Sequence, residues 1–194
     1  MTDLLLAERM PEDGRVLVLG AGGGLELEHL AAAHSGWEFD GVDPSAEMLG
    51  LAEATTAPFA ARIRLHEGTI ESAPTGPFDA AVCLLTLHFI PAAERLATLV
   101  QLRRRLKPGG PFVAAHHSFP TQPPERDAWL SRFAAYRVGS GFPAEGMASA
   151  IDAIRDRLPV LSPEDDEALM REAGFADVSL FYAALTFRGW VAYA

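Results

Sequence analysis

The chain has 194 residues, 49% hydrophobic and 22% charged, which suits one folded domain with a sizeable core and excludes a largely disordered chain. A formal net charge of -10 argues against a grip on nucleic acid, which asks for a basic patch. The lone cysteine, Cys83, excludes an intrachain disulfide framework and fits a reducing cytoplasm.

Residues 1–12 carry acids early and are too poor in apolar residues for a signal peptide. Residues 16–19 form a continuous apolar run ended by glycines, which predicts a buried parallel strand. Residues 25–33 predict a helix with acids in its first turns. A second strand is expected over 37–42, ending at Asp43-Pro44, and a second helix over 46–54, with Ser45 as N-cap. Residues 62–66 and 78–84 read as the third and fourth strands. Over 92–106, Leu96, Leu99, Val100, Leu102 and Leu106 recur near helical spacing, and Lys107-Pro108-Gly109-Gly110 stops the helix. The basic cluster Arg103-Arg104-Arg105 and Lys107 falls at that helix end and reads as capping. Residues 112–115 are the fifth strand, and no apolar stretch is long enough to span a bilayer.

From residue 118 the rhythm changes. Pro120, Pro123 and Pro124 precede helix-like stretches at 128–136 and 145–157. The region 118–160 reads as an insertion laid over the substrate side of a single domain spanning 1–194. Its aromatics, Phe119, Trp129, Phe133, Tyr136 and Phe142, suit either an apolar substrate pocket or core, and the sequence leaves both open. Residues 163–173 predict a helix capped by Ser162, begun by Pro163 and ended by Gly174. Two strands, 178–182 and 186–193, joined by a short link, should be antiparallel. The class is therefore α/β, a doubly wound and mostly parallel sheet with helices on both faces. Ligands bind such sheets beyond the carboxyl ends of the strands, here at the exit of the first.

That exit is Gly20-Ala21-Gly22-Gly23-Gly24. The dinucleotide fingerprint G-x-G-x-x-G fails because Leu25 stands at its third glycine. The G-x-G-x-G pattern suits a nucleoside without a pyrophosphate. Asp43, 23 residues after Gly20, can accept both hydroxyls of a ribose, and it can also serve as a turn residue and cap before Pro44.

The loop, Asp43, Phe78-Asp79, Leu106-Lys107-Pro108-Gly109-Gly110 and Glu172-Ala173-Gly174-Phe175, in that order and spacing, resemble the class I S-adenosylmethionine-dependent methyltransferases along nearly the whole chain. The resemblance implies seven strands in the order 3-2-1-4-5-7-6 with the seventh antiparallel. It implies S-adenosyl-L-methionine as cofactor, S-adenosyl-L-homocysteine as product, and in-line methyl transfer to a small-molecule acceptor. Gly20, Ala21, Gly22 and Gly24 would lie against the methionine part, and Asp43 with Pro44 against the ribose. Met48 would pack near the adenine, Thr69 and Ile70 would form the adenine-contacting turn, and Cys83 and Leu84 would offer carbonyls to the amino group. Two departures stand out. Val18 replaces an acid common in the family and removes a polar support for the loop. Thr69 replaces a common Asp but can still hydrogen-bond, while the Ile70 amide can read the ring. The stretch before the first strand is shorter than in many members, so a reduced cover over the cofactor is expected.

His88, His116 and His117 are candidate bases, all at predicted carboxyl ends of strands. His88 has a packing role as its alternative, and adjacency lets at most one of His116 and His117 face the site. The pair lacks a third ligand, so no metal is expected. Arg188 is a candidate for a substrate carboxylate, or else an edge or salt-bridged residue. Two other readings remain. Residues 181–187 resemble carboxy-S-adenosylmethionine synthase, which modifies the cofactor itself and would need a cationic pocket. Val18, Thr69 and the short N-terminal stretch motivate a non-catalytic S-adenosylmethionine-binding protein. The expected partner is a small molecule, with no membrane; the oligomeric state stays open, a homodimer included.

Overall fold

An apolar run without polar alternation is stable as a strand only if both its faces are covered. The computed structural model, which describes residues 1–194, meets this condition with a seven-stranded sheet. The strands are β1 (Arg15–Leu19), β2 (Glu38–Asp43), β3 (Ile63–Glu67), β4 (Ala80–Leu84), β5 (Pro111–His117), β6 (Ala176–Ala184) and β7 (Phe187–Tyr193). Their order is β3-β2-β1-β4-β5-β7-β6, with β7 antiparallel to both β5 and β6 and the other pairings parallel. This is the order implied by the family resemblance. The chain winds outward from β1 in both directions, so the switch point lies where β1 and β4 end.

Seven helices cover the sheet: α1 (Thr2–Ala7), α2 (Leu25–Ala33), α3 (Ala46–Thr56), α4 (Ala92–Arg104), α5 (Glu125–Gly139), α6 (Met147–Arg157) and α7 (Pro163–Glu172). Strand alternation splits β1 between two cores. Leu17 and Leu19 join Leu99 and Leu102 of α4 and Met170 of α7. Val16 and Val18 join Leu6 of α1 and Leu27 and Leu30 of α2. Val18 is therefore a core residue on the α1–α2 face.

The expected caps form. Ser45 Oγ accepts the Met48 N–H at 3.2 Å, and Ser162 Oγ accepts that of Asp165 at 3.1 Å, with Pro163 opening α7. Gly174, at φ +94°, ends α7.

Two differences from the sequence reading, and one question it left open, have physical reasons. The first residues form α1, six residues long and too short for periodicity to register; it is held by Leu6, which is fully buried. β4 begins at Ala80 because Phe78 makes only an isolated bridge to Leu106. The aromatics of residues 118–160 divide. Phe119 joins Leu130 and Ile151 in a small core between α5 and α6, whereas Tyr136 and Phe142 are exposed. No helix is long and apolar enough to cross a membrane.

One buried ion pair ties α4 to α7. Arg95 donates to Asp166 Oδ1 at 2.8 Å and to the carbonyls of Pro159 at 2.6 Å and Ile90 at 3.2 Å. Both side chains are at most 1% exposed. The His116 Nε2 lies 3.1 Å from Asp166 Oδ2, a close contact without good hydrogen-bond alignment. Burial works to raise the Asp166 carboxyl, but His116, Ser118 and Arg95 outweigh it and hold it below the usual carboxylate range. Removing one partner strands a buried charge. We expect Asp166→Ala to lower stability by about 3–5 kcal/mol in urea titrations, and the double change Arg95→Met, Asp166→Leu to lower it less. The stabilisation from Asp166 should be complete above the ordinary aspartate range and lost as pH falls through its lowered folded value. The same titrations at stepped pH check this.

Candidate active site at the carboxyl ends of β1, β2 and β4

The turn that leaves β1 demands glycine. Gly20 and Gly24 sit at φ +78° and +82°, in the left-handed region. A Cβ on Gly20 would stand 1.9 Å from Thr86 Oγ1, just after β4. The Gly20 and Ala21 amides donate to the Val42 carbonyl at 2.8 and 3.0 Å, folding the loop over the end of β2.

Asp43, at that end, fixes the rest. Its Oδ2 accepts the Gly22 N–H and its Oδ1 the Ser45 N–H, each at 2.9 Å. Its carbonyl accepts the Gly68 N–H at 3.0 Å, which ties in the turn after β3. An ionised carboxylate offers about four lone-pair positions, so the side chain retains acceptor capacity for a diol. Above Gly22 and Gly23 a Cβ would meet Met48 Cε only at 3.7 Å, which leaves ordinary contact space beneath that side chain. Pro44 is exposed beside Asp43.

On the neighbouring turn, the Thr69 hydroxyl donates to Glu71 and holds that carboxyl below its usual range, while Ile70 is buried. Cys83 is fully buried and its thiol is pushed up to about 12, so it stays neutral. The Leu84 carbonyl accepts the Thr86 hydroxyl at 3.0 Å. Leu85 then adopts φ +56° with its side chain 56% exposed, a strained position of the kind that collects at functional sites.

The three histidines separate. His116 is fully buried with Asp166, its ring 5.3 Å from that of Trp190. His117 stacks on Phe187 at 4.0 Å, meets Phe133 of α5 edge-on, and sits 3.0 Å from the Thr186 hydroxyl through Nδ1. The His117 backbone N–H donates to His88 Nδ1 at 3.1 Å, so His88 carries its proton on Nε2 when neutral. Burial first, then the neighbouring histidines, push His88 down to about 3 and His117 down to about 4. Both are neutral near pH 7, but with such values they are weak proton acceptors. Arg188 donates to the carbonyls of Leu185 and Phe187 at 2.8 Å and lies over Trp129, with no carboxylate partner.

Sequence reading passed over Glu26. In the first turn of α2 it reads as an acid favouring the helix dipole. Burial, with a contribution from Asp43, pushes its carboxyl up to about 7. It lines a cleft of about 410 Å³ between α1, α2 and the end of β4, with Leu25, Leu84 and Leu85 among the walls.

Residues 16–110 match the family model described as "Methyltransferase domain". The chain is similar to the carboxy-S-adenosyl-L-methionine synthase of Wolinella succinogenes, 26% identical over 193 residues, covering 98% of this chain and 80% of that protein. It is also similar to the ubiquinone/menaquinone biosynthesis C-methyltransferase of Syntrophotalea carbinolica, 32% identical over 110 residues, 57% of this chain and 46% of that one. In fold it resembles an O-methyltransferase family protein from Burkholderia thailandensis, with TM-score 0.72 and 16% identity over 97% of this chain. Human N-acetylserotonin methyltransferase, solved with its ligand SAM, matches at TM-score 0.66 and 15% identity over the whole chain. The chain spans about half the length of these solved chains, 52% and 51%.

Lowered histidine values carry a sign. The folded state resists protonation more than the unfolded chain does, so stability should be full above about pH 6.5 and decline as the solution is acidified toward about 4. Imidazole NMR titration should show His88 and His117 unprotonated down to pH 5.

Proposed function

We propose that this chain, which belongs to the class I S-adenosylmethionine-dependent methyltransferases, binds S-adenosylmethionine at the β1–β2 exit and catalyses methyl transfer to a small molecule. The observation that carries the reading is the Asp43 carboxylate, which shapes the glycine loop through Gly22 while keeping acceptor positions for a ribose diol. When bound, S-adenosylmethionine supplies a methyl group on a sulfonium, open to in-line displacement. The chain's own work is then placement, which can supply roughly 7–11 kcal/mol of a barrier. Gly22 and Gly24 let the backbone approach the methionine portion. Met48 covers the loop on the side assigned to adenine, and Thr69 and Ile70 form the turn beside it. The end of β4, with Cys83 and Leu84, offers carbonyls to an amino group.

The helices of residues 118–160 stand as a substrate-side insertion in a single domain, and His117 reaches toward them through Phe133. His88 and His117 serve better as hydrogen-bonding and packing groups for an acceptor than as proton acceptors. His116 belongs to the buried α4–α7 ion pair rather than to the acceptor. A cytoplasmic setting remains the reading of the lone, buried cysteine.

A second reading is favoured by one observation: the carboxy-S-adenosyl-L-methionine synthase likeness runs along 98% of the chain. Arg188, a cation without a carboxylate partner beside the aromatic insertion, is the group that reading needs. Mass spectrometry of nucleosides copurified with the protein separates the two, since only the second predicts an additional carboxyl on the cofactor.

Calorimetric titration with S-adenosylhomocysteine tests the common premise. Asp43→Ala should weaken binding by roughly tenfold or more, the scale of a lost charged hydrogen bond, and Asp43→Asn, which keeps one acceptor, should lose less. Unchanged affinity in Asp43→Ala would refute the assignment.

A further inference from the structure

Beside the carboxyl end of β5, α5 and the β6–β7 hairpin enclose a pocket of about 470 Å³, a size suited to a small ligand. α5 contributes Phe133 and Tyr136 to the lining, and the hairpin contributes Tyr182, Leu185 and Phe187. All of these follow β5 in the chain, whereas the residues assigned to the cofactor precede it. The rings are held at fixed angles by their neighbours. Phe187 stacks on His117 at 4.0 Å, and Phe133 meets both edge-on, 5.6 Å from His117 and 5.9 Å from Phe187. The link between the strands is braced as well. Arg188 donates to the carbonyls of Leu185 and Phe187, and the buried Thr186 places its hydroxyl 3.0 Å from His117 Nδ1. Leu185 holds φ +53°, a left-handed setting that leucine keeps only where its surroundings impose it. The pocket lies at the same end of the sheet as the glycine turn, since Phe187 pairs with His117 at the close of β5 and the His117 N–H reaches His88 just beyond β4.

Little in the lining calls for a charged ligand. Arg137 is the one charged residue there, and its guanidinium lies 3.1 Å from the centre of the Phe142 ring, already engaged with an aromatic face. Glu145 lines the neighbouring groove, which shares Phe133 and Arg137, and not this pocket. His117, behind Phe187, is kept neutral near pH 7 by burial. What remains is four rings, from two elements, around one space. Such rings favour a flat aromatic guest over a saturated one of equal bulk, because offset and edge-to-face contacts add to the burial itself. We propose that this pocket is a recognition subsite for a flat, uncharged aromatic ring of the methyl acceptor. The proposal rests on the functional reading above, for which it names the acceptor class. Work is thereby divided along the chain: the glycine turn and Asp43 hold the cofactor, and Phe133, Tyr136, Tyr182 and Phe187 select the acceptor.

The test titrates two probes calorimetrically into the full chain saturated with S-adenosylhomocysteine. One is 2-naphthol, which is flat; the other is decahydro-2-naphthol, which has the same carbon skeleton and hydroxyl without aromatic faces. The wild type should bind 2-naphthol about tenfold or more tightly than the saturated probe, the scale of a few aromatic contacts. Tyr136→Ala should weaken 2-naphthol about fivefold or more and lower its advantage over the saturated probe. Phe187→Leu, which keeps an apolar side chain and removes the ring, should bring the two affinities toward parity; a residue that only supported the fold would weaken both probes alike. S-adenosylhomocysteine should bind each variant within about twofold of the wild type, because the two sites share no residue, and this also shows that the variants are folded. Tyr136 is exposed, so its change leaves the core intact and Tyr136→Ala suffices by itself. Equal binding of the two probes by the wild type, or an unchanged ratio between them in the variants, would overturn the proposal. Failure of the wild type to bind S-adenosylhomocysteine would instead overturn the functional reading, and the acceptor role with it.

Discussion

The carboxylate of Asp43 is the point where sheet and site are made from the same bonds. It ends β2, receives the Gly22 amide from the loop after β1 and the Ser45 amide at the start of α3, and through its carbonyl receives Gly68 from the turn after β3. Three connections that diverge in sequence are thereby held against one residue. An anion here suits the backbone, because the loop and the helix start both present unpaired N–H groups at this edge. The residue assigned to the ribose thus also builds the cradle, which couples cofactor affinity to local order.

Around that anchor the chain separates polar roles by burial. On the α4–α7 side, Arg95 and Asp166 form a buried ion pair with the His116 ring packed beside it. On the α5 side, His88 and His117 are kept neutral by desolvation and wedged among Phe133, Phe187 and Thr186. Adjacent residues of one strand are thereby given different work, His116 to stability and His117 to the wall beneath the insertion. Glu26 contrasts with both groups. It is half-buried, close to Asp43, and lacks an ion-pair partner within the chain.

Much of the fold could be read from residue order because its causes are local. The apolar runs at β1 and β4, the glycines that end β1, the Ser45 and Ser162 caps and the Gly174 stop each act within a few residues. Boundaries drifted by one to three residues at most elements, as at α5, where the helix begins at Glu125 and not at 128. α1 escaped notice because its single buried anchor, Leu6, has no periodic companion. The aromatics of the insertion could not be sorted, since Phe119 and Phe142 differ in burial and not in type.

Residue order alone was enough to require an α/β sheet with a glycine turn and an acid after the second strand, because steric freedom, capping and alternation are properties of short segments. Which histidine turns toward α7 and which toward α5, and the elevation of Glu26 to about 7, arose only when distant elements excluded water from the same places. Desolvation and Coulomb coupling depend on what lies across space, and Asp3, Glu26, Asp43 and Cys83 are scattered along the chain before the fold gathers them.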